Sequence, residues 1–296
     1  MRTLLFFILF VSGILAKGVE EYRPISACAR YNKIEYRLLR SFRFQKSYYY
    51  LALNPHTLES HILDAKRVVA SSCSQNYFHS RYYKLLDYST AAPYPLQNDG
   101  ITHGSRGLYL SVDLCPSSHR GYERRLFLAL IAQPKHPFPV TLFITKRWIL
   151  RHFKAFMELK EWQKKGLLDI TWANHTAYHR YDKKSPLNYN FVLLPKEHLV
   201  NDILDLEVTL LNYGVIPSPF FRFPGLVSDR KSVEIVKRLG LIIIGSDSWL
   251  AKGQLPKEGS IILVQGNKNE PQGVVLLLQL LRHGVMKKFQ RIEKIQ

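Results

Sequence analysis

Short apolar runs alternate with amphipathic segments from residue 107 onward. The runs have the length of buried strands and lie at 107–114, 139–145, 167–174, 220–224, 240–249 and 259–266. Helical spacing covers 147–166, 194–214 and 230–240, and each of these segments ends on a glycine, as a C-cap does. The alternation predicts an α/β fold with a mainly parallel sheet, either open or closed into a barrel, and functional residues at the carboxyl ends of the strands.

The region before these runs, 17–105, is rich in tyrosine and basic side chains, and we assign it to an N-terminal extension of unknown role. Within it a tyrosine-rich run predicts a strand, and Asn54-Pro55 predicts a turn. A helix is expected next, because four apolar residues follow helical spacing: Leu58, Ile62, Ala65 and Val69. The turn-rich stretch 89–104 is the predicted boundary, and the second domain covers 106–296.

The first residues have the layout of a secretory signal peptide. A basic start at Arg2 precedes an apolar stretch over 4–11, and the small residue Ala16 stands at the predicted cut, so the signal covers 1–16. The apolar stretch is shorter than the roughly 20 residues that span a bilayer, which favours a cleavable signal over an uncleaved anchor. We therefore expect an exported protein, either periplasmic or extracellular.

Export permits disulfides, and the chain has three cysteines, so at most one pair can form within it. We expect Cys28 to pair with Cys73, because both lie in the N-terminal part. Cys115 lies in a motif at the end of a predicted strand and would keep a free thiol.

The net charge of +19, from 42 Lys and Arg against 23 Asp and Glu, predicts attraction to polyanions. The candidates are an anionic cell wall, anionic lipid headgroups and nucleic acid, and export makes nucleic acid the weakest of the three. The basic residues are scattered in short groups, so any single group is also explained as solvated surface charge.

Five polar residues fall at or just beyond the ends of the predicted strands: Asp113, His175, Arg222, Asp247 and Gln265. His175 and His179 stand four residues apart behind Asn174, a residue type that favours a helix N-cap. On a helical turn their imidazoles would project from one side, which is what a single metal ion needs. Two histidines on one helical face also occur without a metal.

Asp113 precedes a turn held by Pro116, so its carboxylate emerges where a strand ends. By itself this residue is also explained as a helix or turn cap. Arg222 stands among aromatic residues in the segment FFRFPG. A buried arginine in that setting needs an anionic partner, and Asp113 is the natural candidate.

In their order along the chain, these segments resemble the polysaccharide deacetylases with a NodB-homology domain, carbohydrate esterase family 4, over residues 105–290. ANHTAYH, with His175, Thr176 and His179, is the strongest match, because the family's metal motif is His-Ser/Thr-x-x-x-His behind an Asn. SVDLCP is similar to the family's Thr-Phe-Asp-Asp-Gly-Pro and FFRFPG to its Arg-x-Pro-x-Gly region. SDSW is similar to its Asp-x-x-Asp-Trp region and IILVQG to its Leu-x-His segment. The resemblance implies a distorted (β/α) barrel.

The resemblance also implies roles for the matching residues. Asp113 would be the general base, and Arg222 would orient it. His175 and His179 would hold a divalent metal, expected to be zinc, that lowers the pKa of a bound water and polarises the acetyl carbonyl.

Further implied roles concern the substrate. Trp249 and Leu263 would line the pocket for the acetyl methyl group, and a backbone N–H near Cys115 would help to stabilise the oxyanion. The implied activity is metal-dependent removal of acetyl groups from an N-acetylated glycan. Export and positive charge favour peptidoglycan as that glycan.

The chain departs from the family pattern at the third metal ligand. Aligning Pro116 with the family's proline places Leu114 on the second Asp, and leucine cannot coordinate a metal. Sliding the alignment by one residue makes Asp113 the ligand and Val112 the base, which loses the proline match and reverses the faces of the strand. Waters, Asp113 or His119 would then have to complete the coordination.

A second departure is Gln265, which stands where the family has its general-acid histidine. Glutamine forms hydrogen bonds but does not deliver a proton, and loss of a general acid lowers the rate on the order of 10²–10⁴-fold. Expelling an amine requires that proton more than expelling an alkoxide does. A slow N-deacetylase, an O-acetyl esterase and a catalytically impaired glycan- or wall-binding protein therefore stay open as alternatives.

Overall fold

The computed structural model describes residues 18–194, 198–284, 286 and 288–296. The predicted signal peptide over 1–16 lies outside these residues. Within the described part of the chain, no helix is both long and apolar enough to cross a membrane.

The N-terminal extension forms an antiparallel sheet of five strands: β1 (Val19–Tyr31), β2 (Ile34–Phe44), β3 (Ser47–Leu53), β4 (Ser60–Asp64) and β5 (Val69–Ser71). The strand order is β4-β3-β2-β1-β5. Two short helices follow, α1 (Gln75–Phe78) and α2 (Arg81–Ser89). The expected disulfide between Cys28 and Cys73 is present, and it ties β1 to the segment just before α1.

The helix expected after the Asn54-Pro55 turn is absent, so that prediction is wrong. Its residues instead form β4, a short 3₁₀ turn and β5. The four apolar residues share no buried face, since Leu58 is fully buried whereas Val69 is 67% exposed. Pairing of β4 with β3 and of β5 with β1 overrides the helical spacing. The tyrosine-rich strand and the turn are confirmed as β3 and the residues that follow it.

The second sheet has seven strands that pair with one another in parallel: β6 (Tyr109–Leu114), β7 (Phe138–Ile144), β8 (Leu168–Asn174), β9 (Phe220–Phe221), β10 (Ile242–Ile243), β11 (Ser248–Trp249) and β12 (Ile261–Gln265). In the order β10-β9-β8-β7-β6-β12-β11 they curl into an open half-barrel. The expected distorted (β/α) barrel is confirmed.

Among the described residues of the barrel region, six α-helices are present: α3 (Arg124–Ile131), α4 (Lys146–Arg151), α5 (Phe153–Lys164), α6 (Leu199–Asn212), α7 (Arg230–Arg238) and α8 (Pro271–Arg282). The three helical segments expected from the sequence are present. The first is divided into α4 and α5 at His152, and the second, expected from 194, is helical as α6 from Leu199, with 195–197 outside the described residues. Gly166, Gly214 and Gly240 follow α5, α6 and α7 with φ near +70°, the left-handed conformation that a C-cap glycine adopts.

Side chains alternate between the two faces of each long strand. On β6, Val112 and Leu114 pack into the core between the sheet and the helices, whereas Tyr109 belongs to the core inside the barrel. Because the period of a strand is two, Asp113 faces the same side as Tyr109. The sequence of β6 therefore directs a carboxylate into the barrel and a leucine away from it.

The stretch 89–104, the predicted domain boundary, leads from α2 toward β6, and its last residues pair with the barrel. Ile101 forms a parallel bridge with Ile244, just after β10, and His103 forms an antiparallel bridge with Ser260, just before β12. The N–H of Ile101 donates to the carbonyl of Ile243 at 3.0 Å. This segment therefore crosses the open side of the half-barrel.

A buried ion pair joins the N-terminal sheet to the barrel helices. Arg40 on β2 donates to Glu207 on α6 through Nε at 2.7 Å and through Nη2 at 2.9 Å, and both side chains are almost completely buried. Arg40 also donates to the carbonyl of Leu239 at 2.7 Å, and the hydroxyl of Tyr22 donates to Glu207 at 2.8 Å. These contacts make the extension part of one packed structure with the barrel.

Replacing Glu207 by Gln leaves the buried Arg40 without a negative partner, so we expect a loss of about 3–5 kcal/mol in the free energy of unfolding. Urea denaturation followed by circular dichroism measures it. The matched control is Asp87→Asn, which removes an exposed ion pair with Lys237 between α2 and α7 and should cost less than about 1 kcal/mol. Equal losses in the two variants would contradict the structural role of the buried pair.

Candidate metal centre

The carboxyl ends of adjacent parallel strands bring most of the predicted site residues together. Asp113 lies near the end of β6, His175 directly follows β8, Arg222 directly follows β9, and Gln265 ends β12. Parallel pairing in register puts Gln265 opposite Asp113. The site therefore occupies the carboxyl end of the barrel, as the alternation of strands and helices predicted.

The buried pair of Arg222 and Asp113 forms the centre of this site. Arg222 Nη1 donates to Asp113 Oδ1 at 2.7 Å, which confirms the expected partnership. The other guanidinium nitrogens donate to the carbonyls of Ile244 and Gly245, and the guanidinium carbon lies 4.0 Å from the ring centroid of Phe143. Burial raises the pKa of Asp113, and the Arg222 charge opposes that rise. The pair thus fixes one carboxylate oxygen and leaves Oδ2 available.

The two histidines come together on a loop, and the expected helix is absent. Asn174 Oδ1 accepts a hydrogen bond from the N–H of Thr176 at 2.9 Å, which starts a turn. Thr176 and His179 have positive φ values, 66° and 46°, so the chain cannot continue as a helix. The imidazole centroids of His175 and His179 nevertheless lie 4.9 Å apart. The two imidazoles therefore lie together as expected, although the local structure is a loop and the expected helix was wrong.

The tautomer of His175 follows from its hydrogen bond. Nδ1 lies 2.8 Å from the carbonyl oxygen of Arg222, which can only accept, so Nδ1 carries the proton. The free lone pair is on Nε2, which lies 3.8 Å from Asp113 Oδ2. Burial lowers the pKa of both His175 and His179 to about 3. Both rings are neutral near pH 7, the form in which imidazole binds a metal.

The His179 ring is positioned by an aromatic neighbour. Phe191 packs against it edge to face, with centroids 5.5 Å apart. Phe191 in turn lies over Gly225, whose φ is +62° and where a Cβ would overlap the Phe191 ring. The Pro-Gly turn behind Arg222 therefore leaves the space in which the ring beside His179 sits.

Cys115 is the third potential ligand at this position. The Sγ atom of Cys115 and one nitrogen of each of His175 and His179 all lie within 4.8 Å of one another, and Cys115 is buried. Asn267 Nδ2 donates to Sγ at 2.8 Å, and Sγ donates to Gln265 Oε1 at 3.3 Å. A thiol and two imidazoles form a ligand set that suits zinc or a similar divalent transition metal. From the sequence we expected only a backbone N–H near Cys115, and not its thiol, to take part in the site.

Two of the proposed site residues lie elsewhere. Asp247 accepts hydrogen bonds from the N–H of Ile261 at 3.0 Å and from Ser260, so it lies at the amino end of β12, opposite the site. Its expected position at a carboxyl end is wrong, because the predicted strand over 240–249 is divided into β10 and β11. His119 is exposed on the loop after Pro116 and is outside the ligand cluster.

The residues expected to line an acetyl pocket are adjacent. Trp249 on β11 pairs in register with Leu263 on β12, which is buried. Trp249 Nε1 donates to Glu270 at 2.7 Å. Burial and, more weakly, the negative charge of Asp113 raise the pKa of Glu270. Sequence reasoning missed Glu270 and Asn267, although both lie in the short connection after β12, where functional residues of such barrels are found.

Comparison with known proteins finds solved structures of similar fold, while no family model matches the chain. A family 4 carbohydrate esterase from Bacillus anthracis is 17% identical with a TM-score of 0.49, over 72% of this chain and 90% of that one. A second such esterase, from Bacillus subtilis, is 15% identical with a TM-score of 0.48, over 76% and 90%.

A peptidoglycan N-acetylglucosamine deacetylase is 16% identical with a TM-score of 0.45, over 66% of this chain and 91% of that one. A pseudoenzyme of the same esterase family is also among the matches. The matching structures therefore come from the family that the motifs resemble. The likeness is one of fold, and any activity has to be argued from the residues of the site.

Lowering the pH from 7 to 5 should destabilise the metal-free protein through the histidine pair. Histidine titrates near 6.5 in an unfolded chain, whereas burial lowers the pKa of His175 and His179 to about 3. Between these values the unfolded chain binds more protons than the folded chain, so stability falls as the pH falls. Thermal unfolding in the presence of EDTA, at pH 7 and pH 5, measures the effect.

The variants His175→Gln and His179→Gln should each show a smaller change in melting temperature between these pH values. His119→Gln is the matched control, because it removes an exposed histidine that lies outside the buried cluster. Equal pH dependence in all four proteins would show that the buried pair does not control acid stability.

Proposed function

We propose that the protein is a metal-dependent hydrolase that removes acetyl groups from an N-acetylated polysaccharide. The observation that carries this proposal is the placement of a carboxylate, oriented by a buried arginine, beside two neutral imidazoles at the carboxyl end of the barrel. A general base and a metal-binding cluster are two components with which a metal-dependent hydrolase cleaves an acetyl group.

The residues of the site each have a proposed role in the hydrolysis. A divalent metal held by His175 and His179 would supply an activated water and polarise the acetyl carbonyl. Arg222 occupies Oδ1 of Asp113, so Oδ2, which faces His175 Nε2, is the atom that takes the proton from water. Trp249 and Leu263, adjacent on β11 and β12, are the side chains proposed to hold the acetyl methyl group.

Several features support an exported protein that acts on an anionic wall polymer such as peptidoglycan. The signal-like residues 1–16, the Cys28–Cys73 disulfide and the net charge of +19 are consistent with an oxidising compartment and a polyanionic partner. A groove beside the loop that carries His179 is strongly basic, and its lining residues are Lys146, Arg147, Leu150, Arg151, Tyr178 and Arg180. Basic and tyrosine side chains in such a groove suit a sugar chain that bears carboxylates.

Removal of O-acetyl groups is the second candidate function, and Gln265 favours it. Gln265 has no titratable proton, and Gln265 Oε1 accepts from the Cys115 thiol. The departing group must therefore leave without a proton from this position. An alkoxide leaves under those conditions more readily than an amine does.

The experiment that tests the proposed function measures acetate released from chitin oligosaccharides and from peptidoglycan, with and without a chelator. Asp113→Asn should lower kcat on the order of 10²–10⁴-fold, because the general base is lost. Circular dichroism must show that the variant is folded, because the buried Arg222 loses its negative partner. Asp247→Asn is the control, since Asp247 lies at the opposite end of the barrel, and it should keep wild-type kcat. Wild-type acetate release from Asp113→Asn would refute the assigned role of Asp113.

The O-acetyl esterase alternative predicts that the wild-type protein prefers O-acetylated to N-acetylated sugars. On matched sugars that differ only in the acetylated atom, the O-acetyl compound should show the higher kcat/KM, because Gln265 cannot protonate an amine. Equal kcat/KM values for the two compounds would remove the argument from Gln265. Absence of acetate release from either, together with retained binding to wall fragments, would favour a glycan-binding protein.

A further inference from the structure

We propose that the thiolate of Cys115 is the third protein ligand of the metal centre and replaces the carboxylate that the family pattern places one residue earlier. The proposal deepens the proposed function, on which it rests, by naming the ligand set of the same site. It does not depend on which acetylated compound is cleaved.

The strand geometry explains the shift by one residue. Leu114 is fully buried in the core between the sheet and the helices, so its side chain points away from the histidines. Cys115 follows at the point where β6 ends, and its Sγ lies within 4.8 Å of the potential ligand nitrogens of His175 and His179. One step along a strand reverses the side chain's direction, so the first position after Leu114 is the one that faces the cluster.

The separations suit a four-coordinate ion after a small contraction. Zinc binds sulfur at about 2.3 Å and imidazole nitrogen at about 2.0–2.1 Å, which places ligand atoms of a tetrahedral site about 3.5 Å apart. The three ligand atoms are already no more than 4.8 Å apart. As the metal–sulfur bond forms, the thiol proton is released to water, and the thiolate neutralises one of the ion's two charges.

Two amide side chains are placed to support a thiolate. Asn267 Nδ2 donates to Sγ at 2.8 Å and to the Cys115 carbonyl at 3.1 Å. Gln265 Oε1 accepts from the thiol at 3.3 Å, and a rotation of its amide group presents Nε2 as a donor once the sulfur is deprotonated. In this arrangement Leu114 and Gln265, the two departures from the family pattern, have one explanation. Gln265 is an outer-shell partner of Cys115 that stands in place of a proton donor.

The other candidates for a third ligand are less well placed. Asp113 is held by Arg222 through Oδ1 at 2.7 Å, and a role as ligand would withdraw it from base catalysis. His119 is exposed and outside the cluster. Two imidazoles and a thiolate select zinc or cobalt over magnesium or manganese, which prefer oxygen ligands.

Cobalt(II) tests the sulfur directly, because thiolate ligation gives an intense charge-transfer band in the near ultraviolet. Cys28 and Cys73 are joined in a disulfide and the chain has three cysteines, so Cys115 is the single possible source of that band in the oxidised protein. The metal-free, full-length mature protein is titrated with cobalt(II) without thiol reductants, and zinc affinity is measured by competition with a chromophoric chelator.

We expect a band in the wild-type protein at one equivalent of cobalt. Cys115→Ser should lose the band and weaken zinc binding by more than the ~10–100-fold that removal of an outer-shell partner costs. Cys115→Asp, which supplies a carboxylate from the same position, should bind cobalt without the band. Asn267→Leu should keep a shifted band and weaken zinc binding about 10–100-fold.

The possible results distinguish an error in the Cys115 ligand assignment from an error in the proposed function. Stoichiometric cobalt bound by the wild-type protein without the band, and unchanged zinc affinity in Cys115→Ser, overturn the role of Cys115 and leave the proposed function intact. A band without acetate release from any substrate supports Cys115 and counts against the proposed function. Failure of the folded wild-type protein to bind either metal overturns both.

Discussion

The buried contact between Arg222 and Asp113 is the interaction on which the rest of the site depends. A guanidinium without exposed surface is tolerated only when its charge and its N–H groups are matched, and here the partners come from separate strand ends. Asp113 belongs to β6, and the two carbonyl acceptors follow β10. Because one side chain must meet all of them, the ends of these strands are held in a single relative position.

Arg222 also orients the histidine side of the site. The carbonyl of Arg222 accepts from His175 Nδ1, which selects the tautomer with a free lone pair on Nε2. The side chain and the backbone of one residue thus orient both the carboxylate and an imidazole, so the relative position of Asp113 and His175 is set by a short, rigid connection. Outer-shell hydrogen bonds of this kind are a general means of tuning metal ligands.

Around this connection the site departs, at neighbouring positions, from the pattern of the family that its motifs resemble. Leu114, Cys115 and Gln265 lie on the paired strands β6 and β12 or just after them, and the latter two share a hydrogen bond. Asp113, Arg222 and both histidines match that pattern, and the proposed sulfur ligand accounts for the neighbouring residues that do not.

Several features could be predicted from the amino-acid sequence: the mainly parallel α/β sheet, the pairing of Arg222 with Asp113, the proximity of His175 and His179, and the Cys28–Cys73 disulfide. They follow from strand length, helical spacing, capping glycines and the few partners available to a charge or a cysteine, whereas the choice of a barrel over an open sheet followed from the resemblance of the motifs to the esterase family. The remaining features depend on pairing between residues far apart in the chain, so only the folded structure shows them. The segment after Asn54-Pro55 forms strands β4 and β5 and no helix, because pairing with β3 and β1 at the edges of the sheet overrides the helical spacing of its apolar residues. Asp247 lies at the far end of the barrel, and the Cys115 thiol lies beside the histidines. Neither position could be predicted, because side chains at strand ends meet only once the register of β6, β8 and β12 is fixed.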